Sequence, residues 1–477
     1  MAENTTAAKK TGALPRANAS VRSRAMGTIP MTVQALSSRL RDERRRALDE
    51  AVQSFEDGSI TRPQETGWVN VLARTFFSFS QEGYSPSRLV WEAVVRGLSV
   101  IGSADRDNLG ALGEMHAAGD MLRIRTTVSM TTTVYDKAHP DAIYNLPGRP
   151  GHVRVMAAGI PRVPKLDCHA GQAITTIPEH ARRRNLRMVE KLNSLLAPVS
   201  VDFDADVVPL TAGGNATPAH IARAYGAKAR TTFPELADLS VFWADVLGKG
   251  PPEVETLLGD LDAFHFALEE QLQNLAPDTP GPGDYPVIDD FFTAVREAGA
   301  IPCLVWRGDR EGLEAEPEIL LDQALAWGVR ALAVYPDTYW NVQDQECKAA
   351  CLAHLRVLME GAAERNLKVL AGSAMDGPKQ KFVDSFDAPE LAAYFREFAD
   401  SAFWLYGHAT LERALGLGRE SEWAERAFGR DAADANTFYT EVGKKAAPGK
   451  TTRARIAGVG TDANPGDVLE ALKPLRI

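Results

Sequence analysis

Cysteine is scarce in this chain. Its 477 residues hold four, Cys168, Cys303, Cys347 and Cys351, and no CxxC pair occurs. That spacing offers neither a zinc clip nor a disulfide framework. Buried free thiols are the expectation, and a reducing cytoplasm is the simplest compartment. Long apolar runs are absent too: no stretch reaches the eighteen or so residues that a transmembrane helix needs. The amino terminus lacks the apolar core of a secretory signal. Positive charge is not in excess. The net charge is −10, which argues against a general nucleic-acid binder. What is present is an ordinary globular composition, 45% hydrophobic, in a chain long enough for one large barrel with insertions or for two to three domains.

Residues 1–57 read as a disordered or helical N-terminal extension. The first thirty are rich in Ala, Thr, Ser and basic residues, with Glu3 the only acid. They suit a disordered tail, with a targeting peptide as the alternative. Leu36, Leu40 and Leu48 then stand among many charges, as in a solvated helix.

The chain is organised around Trp68 to Asp107. Val69 onward is rich in β-branched and aromatic residues and reads as a buried strand. A polar loop with Gly83 and Pro86 follows, and Ser85 or Ser87 can cap the helix after it. Leu89, Val90, Ala93, Val94 and Leu98 recur at helical spacing, and Gly97 marks the helix end. Leu98 to Ala104 is a second strand, which breaks into Asp105-Arg106-Asp107. A strand ending in acids after a βα unit resembles the mouth of an α/β barrel, where chemistry is usually placed.

Further strands are expected at Arg125–Tyr135, His152–Ala158, Ile301–Trp306, Ala331–Tyr335, Lys368–Ala371 and Ala402–His408, with helices between them. Such alternation indicates a parallel sheet or barrel. Thr217 should cap a helix starting at Pro218, and Arg182, Arg183, Arg184 and Arg187 crowd one helix face. Asp167-Cys168-His169 could supply a ligand or a nucleophile, but adjacent side chains usually point apart, and a structural role is the expectation. The stretch from 444 is Gly- and Pro-rich and reads as a loosely held tail.

These frames together resemble the PHP (polymerase and histidinol phosphatase) superfamily of metal-dependent phosphoesterases. Family members open with a strand carrying His-x-His, follow it with Asp-His-Asp, and carry a late Gly-Ser-Asp-x-His-Gly. This chain has Leu72-Ala73-Arg74, then Asp105-Arg106-Asp107, then Gly372-Ser373-Ala374-Met375-Asp376-Gly377-Pro378. Where a family strand ends in Ala-His-Pro, Arg307 stands in the place of the His, and Ser129-Met130-Thr131 stands where a Glu ligand is placed. The frame is kept and most ligands are substituted.

The resemblance implies an α/β fold: a PHP-like distorted TIM-type β/α barrel with a largely helical insertion. Its parts would be residues 58–170 and 287–443, with the insertion and linker at 171–286 and a tail at 444–477. It implies a phosphoesterase-type hydrolase on a phosphorylated small molecule with a reduced or rearranged metal site. The alternative is a metal-free pseudoenzyme that binds an anionic ligand or a partner protein. The surviving metal candidates are Asp105, Asp107, Asp376 and His408, with Asp337 behind them, for Zn, Mn or Fe if a metal binds at all. Asp105, Asp107 and His408 would be the catalytic groups. Arg74, Arg106 and Arg307 would sit at former ligand positions, where guanidiniums cannot bind metal but can bind an anion. A barrel of this type should bring Arg74, Asp105, Asp107, Arg307, Asp376 and His408 into one pocket.

Overall fold

A computed structural model of the protein describes residues 30–277, 283–308, 311–429 and 431–473. The expected disorder of the first thirty residues falls almost wholly outside them.

The chain is a mixed α/β protein built on one seven-stranded sheet, rolled into a nearly closed barrel. The strands are β1 (Val69–Ala73), β2 (Val100–Arg106), β3 (Arg125–Tyr135), β4 (His152–Ala158), β5 (Ile301–Trp306), β6 (Ala331–Val334) and β7 (Lys368–Ala371), and they neighbour one another in that order. All are parallel to their neighbours except β4, which runs antiparallel to both β3 and β5. β1, β5, β6 and β7 are buried along their whole length, as expected of a sheet covered by helices.

The barrel closes where β1 meets β7, and a side chain does much of the joining. Asn70 Nδ2 donates to the carbonyls of Ser373 (3.1 Å) and Phe382 (2.9 Å), while its Oδ1 accepts from the amides of Leu72 and Ser373. The Arg74 amide adds a bond to the Ala374 carbonyl at 2.9 Å. Gly372 is required at this seam, since a Cβ there would collide with Asn70 Oδ1.

The insertion has its own hydrophobic core, running from Val189 to Ala276 around Tyr225, Trp243 and Phe264. One long helix, His169–Leu195, joins it to the barrel. Its first half packs Ala170, Ile174 and Ile177 into the barrel core, and its second half gives Val189 and Leu192 to the insertion core.

Several expectations need correction. Ala402–His408 is not a strand; it lies inside the helix Phe395–Leu415. Residues after 444 are not a loose tail. The helices Lys450–Ala457 and Pro465–Ala471 bury Ile456 and Val468 in the main core. The helix Arg41–Glu56 is not fully solvated either, since Arg44 is buried in a bidentate pair with Glu114. All four cysteines are free, but only Cys303 and Cys351 are buried. Among the described residues no helix is long and apolar enough to cross a membrane.

Candidate anion site at the barrel mouth

The parallel strands point their C-terminal ends at one mouth, and charged residues end them. Arg74 follows β1, Arg106 closes β2, Arg307 follows β5, and Asp376 lies in the loop after β7. These four line a single cavity of about 650 Å³. The insertion supplies the facing wall through Glu269 and Gln273, from the helix Leu261–Leu275, and through Thr217 at a helix cap.

Arg74 is nearly inaccessible and pairs through Nε with Asp376 Oδ2 at 2.7 Å. Burial opposes its charge, but Asp376, Tyr335 and Asp105 together hold its proton more firmly than usual. Arg106 has no such partner. Its Nε is buried without a hydrogen bond, and among the described residues it makes no ion pair. Burial, and next the field of Arg74, weaken its hold on the proton. The Arg106 carbonyl, by contrast, accepts from Asn215 of the insertion at 2.9 Å.

The sequence reading missed Arg154. It lies on β4 opposite Thr133 and donates to Thr133 Oγ1 at 3.1 Å. Burial, then Arg106, Arg307 and Arg74, push its proton affinity well below the ordinary range. Arginine does not surrender its proton in proteins. The shift therefore reports a charged guanidinium held against three others in poor solvation, a strain that an anion would relieve. Its only signal in the sequence was a single charge within the apolar run His152–Ala158.

Arg154 does not line the 650 Å³ cavity; it lines a second, smaller chamber of about 90 Å³ with Asp107 and Arg184, and Arg106 and Arg149 border both. Asp107 adopts the left-handed region at φ 54°. Its Oδ1 accepts from Thr132 Oγ1 at 2.6 Å, and its Oδ2 meets Arg184 Nη2 at 3.4 Å. Met375, beside Asp376, is also left-handed at φ 57°. Strained positions of this kind concentrate at functional sites.

Glu269 is the second residue that the sequence did not flag. Burial raises its carboxyl to about 7, despite the nearby guanidiniums of Arg106, Arg74 and Arg223. Asp337, after β6, is raised to about 6 by burial and by Asp384 and Asp376.

The proposed metal ligands do not assemble. Asp105 faces the strand exit rather than the cavity. It accepts from the Thr75 amide, Thr75 Oγ1 and Ser78 Oγ, each at 2.7 Å, so both its oxygens are engaged. Burial raises its pKa against those bonds. Asp107 and Asp376 are engaged with Arg184 and Arg74. His408 is at the other end of the barrel. Its neighbour Gly159 follows Ala158, which pairs with Ile301, the first residue of β5, whereas the mouth lies beyond the last. His408 Nδ1 accepts from the Arg419 amide at 2.9 Å, and burial lowers its pKa to about 3, as for a neutral core histidine. Among the described residues no group of three or more His, Cys, Asp or Glu converges to hold a metal ion. The donor set does not fit a PHP-type metal centre.

No protein-family profile matches the chain, and no curated protein sequence matches it. Among solved structures, similarity over part of the chain is found, for example, to two hydrolases. A proposed metal-dependent phosphoesterase from Bifidobacterium adolescentis has a TM-score of 0.42 and 18% identity, over 70% of this chain and 97% of that one. An amidohydrolase from Chromobacterium violaceum, solved with bound sulfate and no metal, has a TM-score of 0.42 and 15% identity, over 68% and 96%.

Proposed function

We propose that the barrel mouth binds a phosphorylated small molecule through guanidiniums that occupy the positions of metal ligands in the PHP frame. One observation carries this reading. Arg106 and Arg154 are held in the mouth without an ion pair among the described residues, next to Arg74 and Arg307. Uncompensated guanidiniums are costly to keep unless a ligand neutralises them. Guanidiniums match phosphoryl oxygens in geometry as well as charge. The cavity volume suits a small-molecule ligand.

A second reading, hydrolysis of that ligand, is favoured by Glu269. A carboxyl near neutral pKa can give and take a proton at working pH. Water would add to phosphorus, the ester oxygen would leave as the alcohol with the Glu269 proton, and the water's proton would return to the Glu269 carboxylate.

The test is titration calorimetry of the full chain with sulfate and with inorganic phosphate, followed by an assay for phosphate release from esters. Binding that weakens by about ten-fold or more in Arg106→Leu is the expected result. No binding of either anion at millimolar concentration overturns the proposal.

A further inference from the structure

The reading above concerns one wall of the cavity, and the other has a different chemistry. The helix Leu261–Leu275 buries Phe264, Leu268 and Leu272 in the insertion core. Its opposite stripe is Phe266, Glu269, Glu270, Gln273 and Asn274, at steps of three, one, three and one, and all five line the cavity. In sequence such a stripe reads as a solvated face. Here it looks across at Arg74, Arg106 and Arg307.

Most ligand cavities are lined mainly by apolar side chains. In this one, eleven of the seventeen lining residues carry polar side chains. Apolar burial therefore cannot supply much of the affinity, and a ligand must offer polar groups along its length. The arginine wall only donates hydrogen bonds. The helix wall both accepts, through Glu269, Glu270 and the side-chain oxygens of Gln273 and Asn274, and donates, through the side-chain nitrogens of those amides, of which Gln273 Nε2 already gives one bond to the Glu269 carbonyl at 3.3 Å. Hydroxyl groups match that mixture, because each donates one bond and accepts others. An ammonium group matches it less well, since it offers no acceptor to the N–H groups of Asn274 or to the second N–H of Gln273. Phe266 is 49% exposed at the lip and approaches Gly377 of the loop after β7, so it offers an aromatic face beside the polar stripe.

We propose that the ligand is a phosphorylated polyol, a sugar phosphate, with its phosphoryl group on the arginine wall and its hydroxyls on the helix Leu261–Leu275. This rests on the reading that the mouth binds a phosphorylated small molecule. The test is calorimetry of the full chain with ribose 5-phosphate, glucose 6-phosphate, glycerol 3-phosphate, propyl phosphate and phosphoethanolamine, with inorganic phosphate as reference. The tightest polyol phosphate is expected to bind about ten-fold or more tightly than propyl phosphate, as two or three added hydrogen bonds would give. The double variant Gln273→Leu, Asn274→Leu, checked for an unchanged circular dichroism spectrum, should bring that ratio close to one. Equal affinities, a ratio that survives the double variant, or tightest binding by phosphoethanolamine overturns the polyol assignment while leaving phosphate binding intact. Failure of every phosphate to bind overturns the underlying reading instead.

Discussion

Glu269 should make anion binding depend on pH, in a direction set by its surroundings. Its folded pKa is raised to about 7, so it is largely protonated at pH 6 and largely charged at pH 8. The groups acting on it are Arg106, Asp376, Arg74 and Arg223. Once charged, it places a negative charge across the cavity from any bound anion. A cavity of 650 Å³ is roughly 11 Å wide if taken as a sphere, and at an effective dielectric near 20 one charge then acts on a monoanion by about 1.5 kcal/mol. A dianion feels about twice that. Protonated Glu269 thus favours the anion by roughly 10- to 100-fold. Over pH 6 to 8 this translates into affinity about five- to ten-fold weaker at the higher pH. Sulfate is the right probe, because phosphate esters themselves titrate near pH 6. Calorimetry at fixed ionic strength measures it, and Glu269→Gln should flatten the profile. A change below about two-fold, or a profile that persists in Glu269→Gln, refutes the reasoning and points to Asp337, the other carboxyl raised toward this range.

Other expectations follow from the same geometry. Arg154→Met should weaken sulfate binding while raising the unfolding free energy from chemical denaturation by about 1–3 kcal/mol, because it removes a poorly solvated charge; a lower unfolding free energy would show that the guanidinium is already compensated. Asn70→Ala should cost about 2–4 kcal/mol, since it strips four hydrogen bonds from the barrel seam, and an unchanged midpoint would mean the seam is held by backbone alone. His116, His220 and His408 are each lowered to about 3 by burial. The unfolded chain then binds more protons than the folded one below pH 6.5, so stability falls as pH drops through that value. At pH 5 each contributes a loss of about 2 kcal/mol relative to pH 7.5, against which the raised carboxyls of Glu269 and Asp337 gain roughly 2 and 1 kcal/mol; unfolding free energies at the two pH values measure the net loss of about 2–3 kcal/mol, and a higher stability at pH 5 would contradict neutral burial.

The sheet was largely legible in the sequence, and the failures have physical causes. β5 and β7 match their expected bounds because each is a short apolar run cut off by Arg or Gly. The stretch Ala402–His408 has the same apolar look, and a buried helix cannot be told from a buried strand over seven residues. The longer reach decides it: Phe398, Ala402, Leu405 and Ala409 keep helical spacing through the helix Phe395–Leu415. Arg74, Arg106 and Arg307 could be found because they stand at strand ends where the resemblance places ligands, and Asp376 because it falls in the resembling stretch Gly372 to Pro378 of the loop after β7. Arg154 could not, because β4 runs backwards and brings a residue near its start to the same mouth. His408 was placed by analogy with a strand end, and moved to the far side once that strand became a helix. Glu269 gave no signal, since only the insertion's packing turns its polar stripe inward.

The barrel seam also sets a time on synthesis. Asn70 must reach Ser373, 303 residues later, and then Phe382. At roughly 5–20 residues per second a ribosome needs about 15 to 60 s to make the intervening chain. Throughout that interval β1 has one unpaired edge and an apolar flank with no neighbour, the state in which nascent sheets recruit strands from other chains. A five-residue β1 with an amide at its second position is a poor template for such capture. The same asparagine that locks the finished barrel therefore makes the waiting strand less adhesive while the ribosome is still at work.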